Sequence, residues 1–439
     1  MRLAFALMGC GLLAGCTQQV ASDPDAKNAP VKPRVVTTAL PHDTDDPAIW
    51  INRADPAKSL VVGTDKATAG GLYVFDLAGK IVAQTPVLKR PNNVDIVTGL
   101  MLAGKPTDIA VTTEREMQRL RVFRLPDLAP LDKGDLVVFA GDVTRAPMGV
   151  ALYRRPGDGA VFAIVGGKSG PAEGYLWQYR LEDDGTGLVK MTKVRAFGRY
   201  SGKKEIEAIA VDAELGYIYY SDEQHGVHKY RADPDAPEAG QELALFGTAG
   251  FASDLEGISI YPRAGGAGYL VVSNQQADTF RIFPRAGTAG KPHDHPLLKS
   301  VRLATRESDG SEVTNVTLPG FPGGLFVAMS TDRTFHFYAR DDIVAAAGLQ
   351  CLLDDQPTEM ILNTDDFWEC PKCRLQARSG GGVLVMLRTR GNGDLKDTKA
   401  TSSVVGWFLG KADSDDPIYS KSSPVQNKPE LREFLSHVN

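Results

Sequence analysis

Six copies of one short apolar hexad, spaced about fifty residues apart, constrain this chain more than any other feature. They are Leu72–Leu77, Leu120–Leu125, Leu176–Leu181, Val227–Ala232, Phe280–Arg285 and Phe335–Arg340. Their central aromatics, Phe75, Phe123, Tyr179, Tyr230, Phe283 and Tyr338, are separated by 48, 56, 51, 53 and 55 residues. Each copy is rich in β-branched and aromatic residues and reads as a strand. Apolar runs ending at Val62, Thr112, Val165, Tyr220, Val272 and Ala328 precede the hexads. Further strands open near Ala48, Val94, Val150, Ile209, Ile258 and Val313. Three strands repeated six times predict an all-β, six-bladed β-propeller. A single blade cannot bury both of its faces, so the blades must stack around an axis.

The repeat occupies residues 34–348 of 439. Arg34 to Ala39 alternates weakly and is expected to add a strand to the last blade, which would close the ring. Residues 1–16 read as a lipoprotein signal peptide. Arg2 precedes an apolar run too short to span a bilayer, and Leu13-Ala14-Gly15-Cys16 looks like a lipobox with Cys16 as the lipidated residue. Residues 17–33 form a polar tether with too little apolar content to fold. These features predict an exported protein, either lipid-anchored in the cell envelope (outer membrane or periplasm) or secreted, and monomeric. Residues 349–439 are a tail with no assigned role. Its strand candidate is Val383–Leu387 and its helix candidate is 428–437. Cys370-Pro371-Lys372-Cys373, with Cys351, leaves a disulfide and a zinc site both open. A net charge of -5 gives no footprint for nucleic acid.

In a propeller, equivalent positions on successive blades fall on one rim. After the second strands the chain offers Asp65-Lys66, Glu114-Arg115, Gly167-Lys168, Asp222-Glu223, Asn274-Gln275 and Ser330-Thr331. The segments leading into the first strands lie at the same end. They carry Asp45-Asp46, Asn92-Asn93 with Asp95, Glu205 and Glu207, Asp254 and Glu256, and Asp309 with Glu312. Clustered carboxylates raise one another's pKa unless a cation neutralises them. Oxygen-only donors with amide help select a hard cation, and a flexible set of many oxygens suits calcium. A cationic arc of Lys66, Arg115 and Lys168 beside such a cluster suits a dense anion such as phosphate. No Gly-x-Ser-x-Gly elbow and no Walker A loop occurs. His293-Asp294-His295 lies in a Pro-flanked loop away from this rim.

Asp45-Asp46-Pro47-Ala48-Ile49-Trp50, Gly63-Thr64-Asp65-Lys66 and Pro91-Asn92-Asn93-Val94-Asp95 resemble the opening blades of the β-propeller phytases. Glu205-Ile206-Glu207, Asp254-Leu255-Glu256-Gly257 and Phe321-Pro322-Gly323-Gly324 continue the likeness in order, over about residues 38–345. The resemblance implies a calcium-dependent hydrolase of myo-inositol hexakisphosphate (phytate), working by direct attack of a calcium-activated water without a phosphoenzyme. It also implies phosphate binding by Lys66, Arg115 and Lys168, and catalytic roles for Glu207, Glu223, Asp254 and Glu256. The implied metal ligands are Asp45, Asp46, Asn93, Glu207, Asp254, Glu256, Gln275 and Asp309, with Asp46 tied to a structural calcium. The chain departs from the family pattern at Ala67, Met148, Ala208, Ser311, Glu312 and Met329-Ser330. The alternatives are another calcium-dependent propeller hydrolase (phosphoesterase or lactonase), or a calcium-stabilised propeller that only binds.

Overall fold

A computed structural model describes residues 29–349 and, beyond them, four strands of the tail. The Cys16 lipobox, most of the tether, the cysteines 351, 370 and 373 and the candidate helix at 428–437 lie outside the described residues. The chain divides into two compact units, Met1–Cys351 and Leu352–Asn439. In the second, Ala377–Arg378, Gly382–Arg388, Val404–Lys411 and Ile418–Tyr419 form one antiparallel sheet in chain order, with the expected Val383–Leu387 strand inside it.

The first unit is the six-bladed propeller. Each blade is an antiparallel meander. The first contains Thr44–Trp50, Leu60–Asp65, Gly71–Phe75 and Ile81–Gln84, and every hexad supplies the third strand. The innermost strands begin up to four residues earlier than the apolar pattern suggested, at Thr44, Pro91, Pro147, Leu255 and Ser311, and the added residues Asp45, Asn92, Asn93 and Glu256 interrupt that pattern because they serve the rim. The sequence rhythm showed three strands per blade, but five blades have four. The outer strands Ile81–Gln84, Val189–Arg199, Ala244–Phe246 and Lys299–Arg302 carry no shared apolar signature, since only one edge of each is paired. In the second blade this position is covered by isolated bridges, Arg119 to Val137 and Phe123 to Pro130.

The last blade takes its outer strand from the other end of the propeller chain. Val35 pairs with Phe337 and Val36 with His336, which closes the ring as expected. Burial lies between blades. Strand alternation sends Val74 toward the second blade and Phe75 toward the sixth. The other hexad aromatics follow Phe75: Phe123, Tyr179, Tyr230 and Phe283 each join the cluster shared with the preceding blade. The fifth and sixth blades meet at Phe280 and Phe326, edge to face at 5.3 Å.

Candidate functional site

The residues that lead into the innermost strands converge at one end of the axis, and four of the six strands are bulged there. The register of the first blade shifts between Thr44 and Pro47, of the second between Pro91 and Val94, and of the fifth between Leu255 and Ile258. A bulge re-aims consecutive side chains and bends the strand, so Asp45-Asp46, Asn92-Asn93 and Glu256-Gly257 turn into the rim. The third blade does the same with Met148-Gly149. Gly149 is required there, because a Cβ would collide with the carbonyl of Glu207. Gly310 likewise lets the chain pass against Asp46.

One network spans five blades. The Lys66 ammonium bridges Asp45 Oδ1 at 2.8 Å and Asp309 Oδ2 at 2.6 Å. Asn92 Nδ2 lies 2.7 Å from Asp45 Oδ2, 3.0 Å from Asn93 Oδ1 and 2.5 Å from Glu207 Oε1. Arg115 Nη1 donates to Asn92 Oδ1 at 2.9 Å, and Gln275 donates to Asp309 Oδ1. A second cluster adjoins it. The carboxylates of Glu205, Glu207 and Glu223, and those of Glu223, Asp254 and Glu256, each offer oxygens within 4.8 Å of one another. Lys168 reaches Glu205 Oε2 at 2.5 Å from a half-exposed position. Lys204 reaches Glu223 Oε2 at 2.5 Å, Asp254 Oδ2 at 2.7 Å and Glu256 Oε1 at 3.9 Å. Gln224 and Gln276 both donate to Asp254 at 2.9 Å.

The electrostatics match a cation-binding cluster. Burial, then the neighbouring carboxylates, holds Glu207 and Glu256 well above the usual carboxylate range. Burial also pushes Glu223 up to about 7 and Asp309 to about 6, against the pull of Lys204 and Lys66 respectively. Asp254 is lowered, because hydrogen bonds from Lys204 and Gln224 outweigh its burial. The buried Glu223 Oε1 and Glu256 Oε2 have no hydrogen-bond partner. A buried carboxylate oxygen left in this condition is costly. A hard cation would satisfy both atoms and relieve the mutual repulsion, so the donor set fits such an ion.

Asp46 lies apart from this network. It accepts from the Val94 amide at 3.1 Å and lines the axial cavity with Asp95 and Glu312. Asp95 accepts from the Ile96 and Leu152 amides, both at 2.6 Å, and Glu312 from Val313 at 2.7 Å. Burial and mutual repulsion raise Asp46 well above the usual range and Glu312 to about 8, and burial raises Asp95 to about 6. His293 and His295 lie away from the rim, with His295 buried against Lys229.

Sequence reasoning missed Lys204, Gln224, Gln276 and the connecting role of Asn92. The Lys203-Lys204 pair beside Glu205 was the available signal, but without the register it reads as a solvated run. At the departures, Met148 is buried and offers its carbonyl to Thr113 Oγ1 at 2.7 Å. Ala208 and Ser311 line the axial cavity.

A family model described as Phytase matches residues 6–337. The chain is 31% identical over 300 residues to the 3-phytase of Bacillus subtilis, covering 66% of this chain and 75% of that protein. Among solved structures it is similar to a chain of the Kuenenia stuttgartiensis hydrazine synthase, at 11% identity and a TM-score of 0.42, covering 66% of this chain and 82% of that one. A chain from a mitotic checkpoint complex gives the same identity and TM-score, with 77% and 98% covered.

Proposed function

Because the chain belongs to the phytase family, its reaction is hydrolysis of phytate phosphomonoesters, and we propose that calcium is its resident ion. The observation that carries the calcium assignment is the oxygen-only rim cluster with its two unpartnered carboxylate oxygens, Glu223 Oε1 and Glu256 Oε2. Glu207, Asp254, Glu256 and Asp309, with Asp45, Asn93 and Gln275, are the ligand set we assign to the rim. Asp46 is the ligand we assign to a structural ion. Bound there, calcium would neutralise phosphate charge and lower the pKa of a water.

The remaining work falls to the chain. Lys66, Arg115 and Lys168 come from three consecutive blades and flank the carboxylates, so they suit the phosphate oxygens of a polyanion. Glu223 is the carboxylate we assign to orient the attacking water. The water oxygen bonds to phosphorus as the bond to the inositol oxygen breaks, and that oxygen leaves with a proton. A lactonase on the same fold would not need the three cations together, and a propeller that only binds would release no phosphate. No helix among the described residues is long and apolar enough to cross a membrane. Export with lipidation at Cys16 is the localisation we propose.

The test is inorganic phosphate release from phytate at neutral pH by the chain lacking residues 1–16, with millimolar calcium and with excess chelator. Calcium-dependent release is expected. Lys168→Ala should lower kcat/KM by about tenfold or more, the scale of one lost charge-assisted contact. Release that persists in chelator would overturn the calcium assignment. An unchanged kcat/KM in Lys168→Ala would overturn the phosphate-binding role.

A further inference from the structure

Beside the rim, the fourth blade assembles a donor set of a different chemistry. Its central hairpin, Tyr217–Asp222 and Gly226–Arg231, turns through Glu223, Gln224 and His225, with Gln224 left-handed at φ 61°. Asp222 pairs with Gly226 and Tyr220 with His228, so Tyr220, Asp222 and His228 project from one face of the sheet. The turn brings His225 back over that face, with its ring 5.7 Å from that of His228. A carboxylate oxygen of Asp222 and ring nitrogens of His225 and His228 lie within 4.8 Å of one another.

The set is held in place. Ser201 donates to both Asp222 oxygens, from its amide at 2.6 Å and its hydroxyl at 2.7 Å. His228 is buried, stacks on Tyr220 at 4.7 Å and lies 2.6 Å through Nδ1 from Glu242 Oε2. That leaves Nε2 facing Asp222 Oδ2, at 3.4 Å. A histidine fixed through one nitrogen by a carboxylate, with the other aimed at neighbouring donors, is the arrangement that orients metal-binding imidazoles. His225 is half-buried and borders a polar cleft lined by Gln224 and residues 247–253, which gives solvent access. Two imidazoles and one carboxylate suit zinc or a similar transition ion, where the oxygen-only rim suits a hard cation.

We propose that Asp222, His225 and His228 form a transition-metal site of the zinc class, with Glu242 positioning His228. An ion there fixes the turn that presents Glu223 to the rim.

The competing structural account is an ion pair of His228 with Asp222 and Glu242, in which His225 has no part. The chain lacking residues 1–16 is stripped with chelator, saturated with calcium, then titrated with Zn²⁺ by calorimetry and with Co²⁺ by visible absorption. His225→Ala and Glu242→Gln are measured in parallel. His225 lies on a turn, so its variant is expected to keep the wild-type circular dichroism and calcium affinity. Wild type should bind one more equivalent of zinc than His225→Ala and show cobalt d–d bands that the variant lacks. Any zinc held by the tail cysteines cancels in this difference. Glu242→Gln should weaken zinc binding about 10–100-fold, the usual cost of losing an orienting partner. Equal zinc stoichiometry and equal cobalt spectra in wild type and His225→Ala would overturn the proposal.

Discussion

Lys204 competes with any metal for the oxygens of Glu223 and Asp254. Its ammonium lies within 2.7 Å of both, and its half-exposed position lets it swing away. Replacing it by Met removes the competitor and leaves three carboxylates facing one another. Lys204→Met should therefore bind calcium severalfold more tightly while its chelated form loses stability, because the buried Glu223 and Asp254 are left without their cation. Calorimetry and chelated melting curves test this, and an unchanged or weaker calcium affinity would refute the competition. Asp254→Asn and Glu256→Gln each remove one charge from the cluster and no core contact. Turnover should fall by more than the 10–100-fold typical of outer partners, with circular dichroism unchanged. Unfolding of either variant would show that the cluster is structural. The sequence revealed Asp45, Asn93, Glu207, Asp309 and the three cations because residue type and blade position are visible in one dimension. Lys204, Gln224 and Gln276 were not visible, because Lys204 and Gln224 reach Asp254 across the boundary from the fourth blade to the fifth, and Gln276 reaches it only once the bulge sets the fifth blade's register.

The blades themselves were legible through their hexads, where strand alternation sends one aromatic toward each preceding blade. The outer strands were not, because an edge with one paired side needs no apolar pattern. The links between blades were equally hidden, and His295 is one of them. It sits in the connection following the fifth blade's hexad, yet meets Phe246 and Lys229 of the fourth at 4.7 Å (ring centroids) and 3.2 Å. Its Nδ1 lies 2.7 Å from the Pro284 carbonyl, which fits a neutral ring donating there and accepting from Lys229. Burial and then the Lys229 charge lower its pKa from 6.5 to about 4. The unfolded chain binds the proton first, so this contribution is fully present above pH 6.5 and is lost as pH falls toward 4. The loss approaches about 3 kcal/mol at the acid end. In urea unfolding at pH 7 and pH 4.5, His295→Gln should lose less stability on acidification than wild type. Parallel losses in the two proteins would remove His295 from the account.

At the scale of the whole molecule, a propeller must join its last blade to its first, and here two residues of strand do so. Val35 and Val36 complete the sixth blade, and the Arg34 and Thr37 amides donate to Phe337 and Phe335. Thr37 Oγ1 accepts from the Phe335 amide, and the buried Leu40 bonds to Arg333. The weak alternation at Arg34–Ala39 was enough to predict this strand because an open ring leaves an unpaired edge. A chain starting at residue 41 lacks these four bonds and the Leu40 side chain. At about 1 kcal/mol for each bond and more for the leucine, it should be destabilised by roughly 5 kcal/mol. The melting temperature should then fall by roughly 7 °C. The exposed edge Thr334–Ala339 should also make the truncated protein associate as its concentration rises. Arg34→Ala breaks only the half-exposed pair with Asp342 at 2.9 Å and the bond to the Gly320 carbonyl, and should cost about 1 kcal/mol. Starting the chain at residue 34 instead isolates the closing strand from whatever precedes it. If that chain melts like the full one while the chain from 41 does not, the closure rests on residues 34–40. Equal melting of all three would mean that the inter-blade clusters hold the ring shut without the strand.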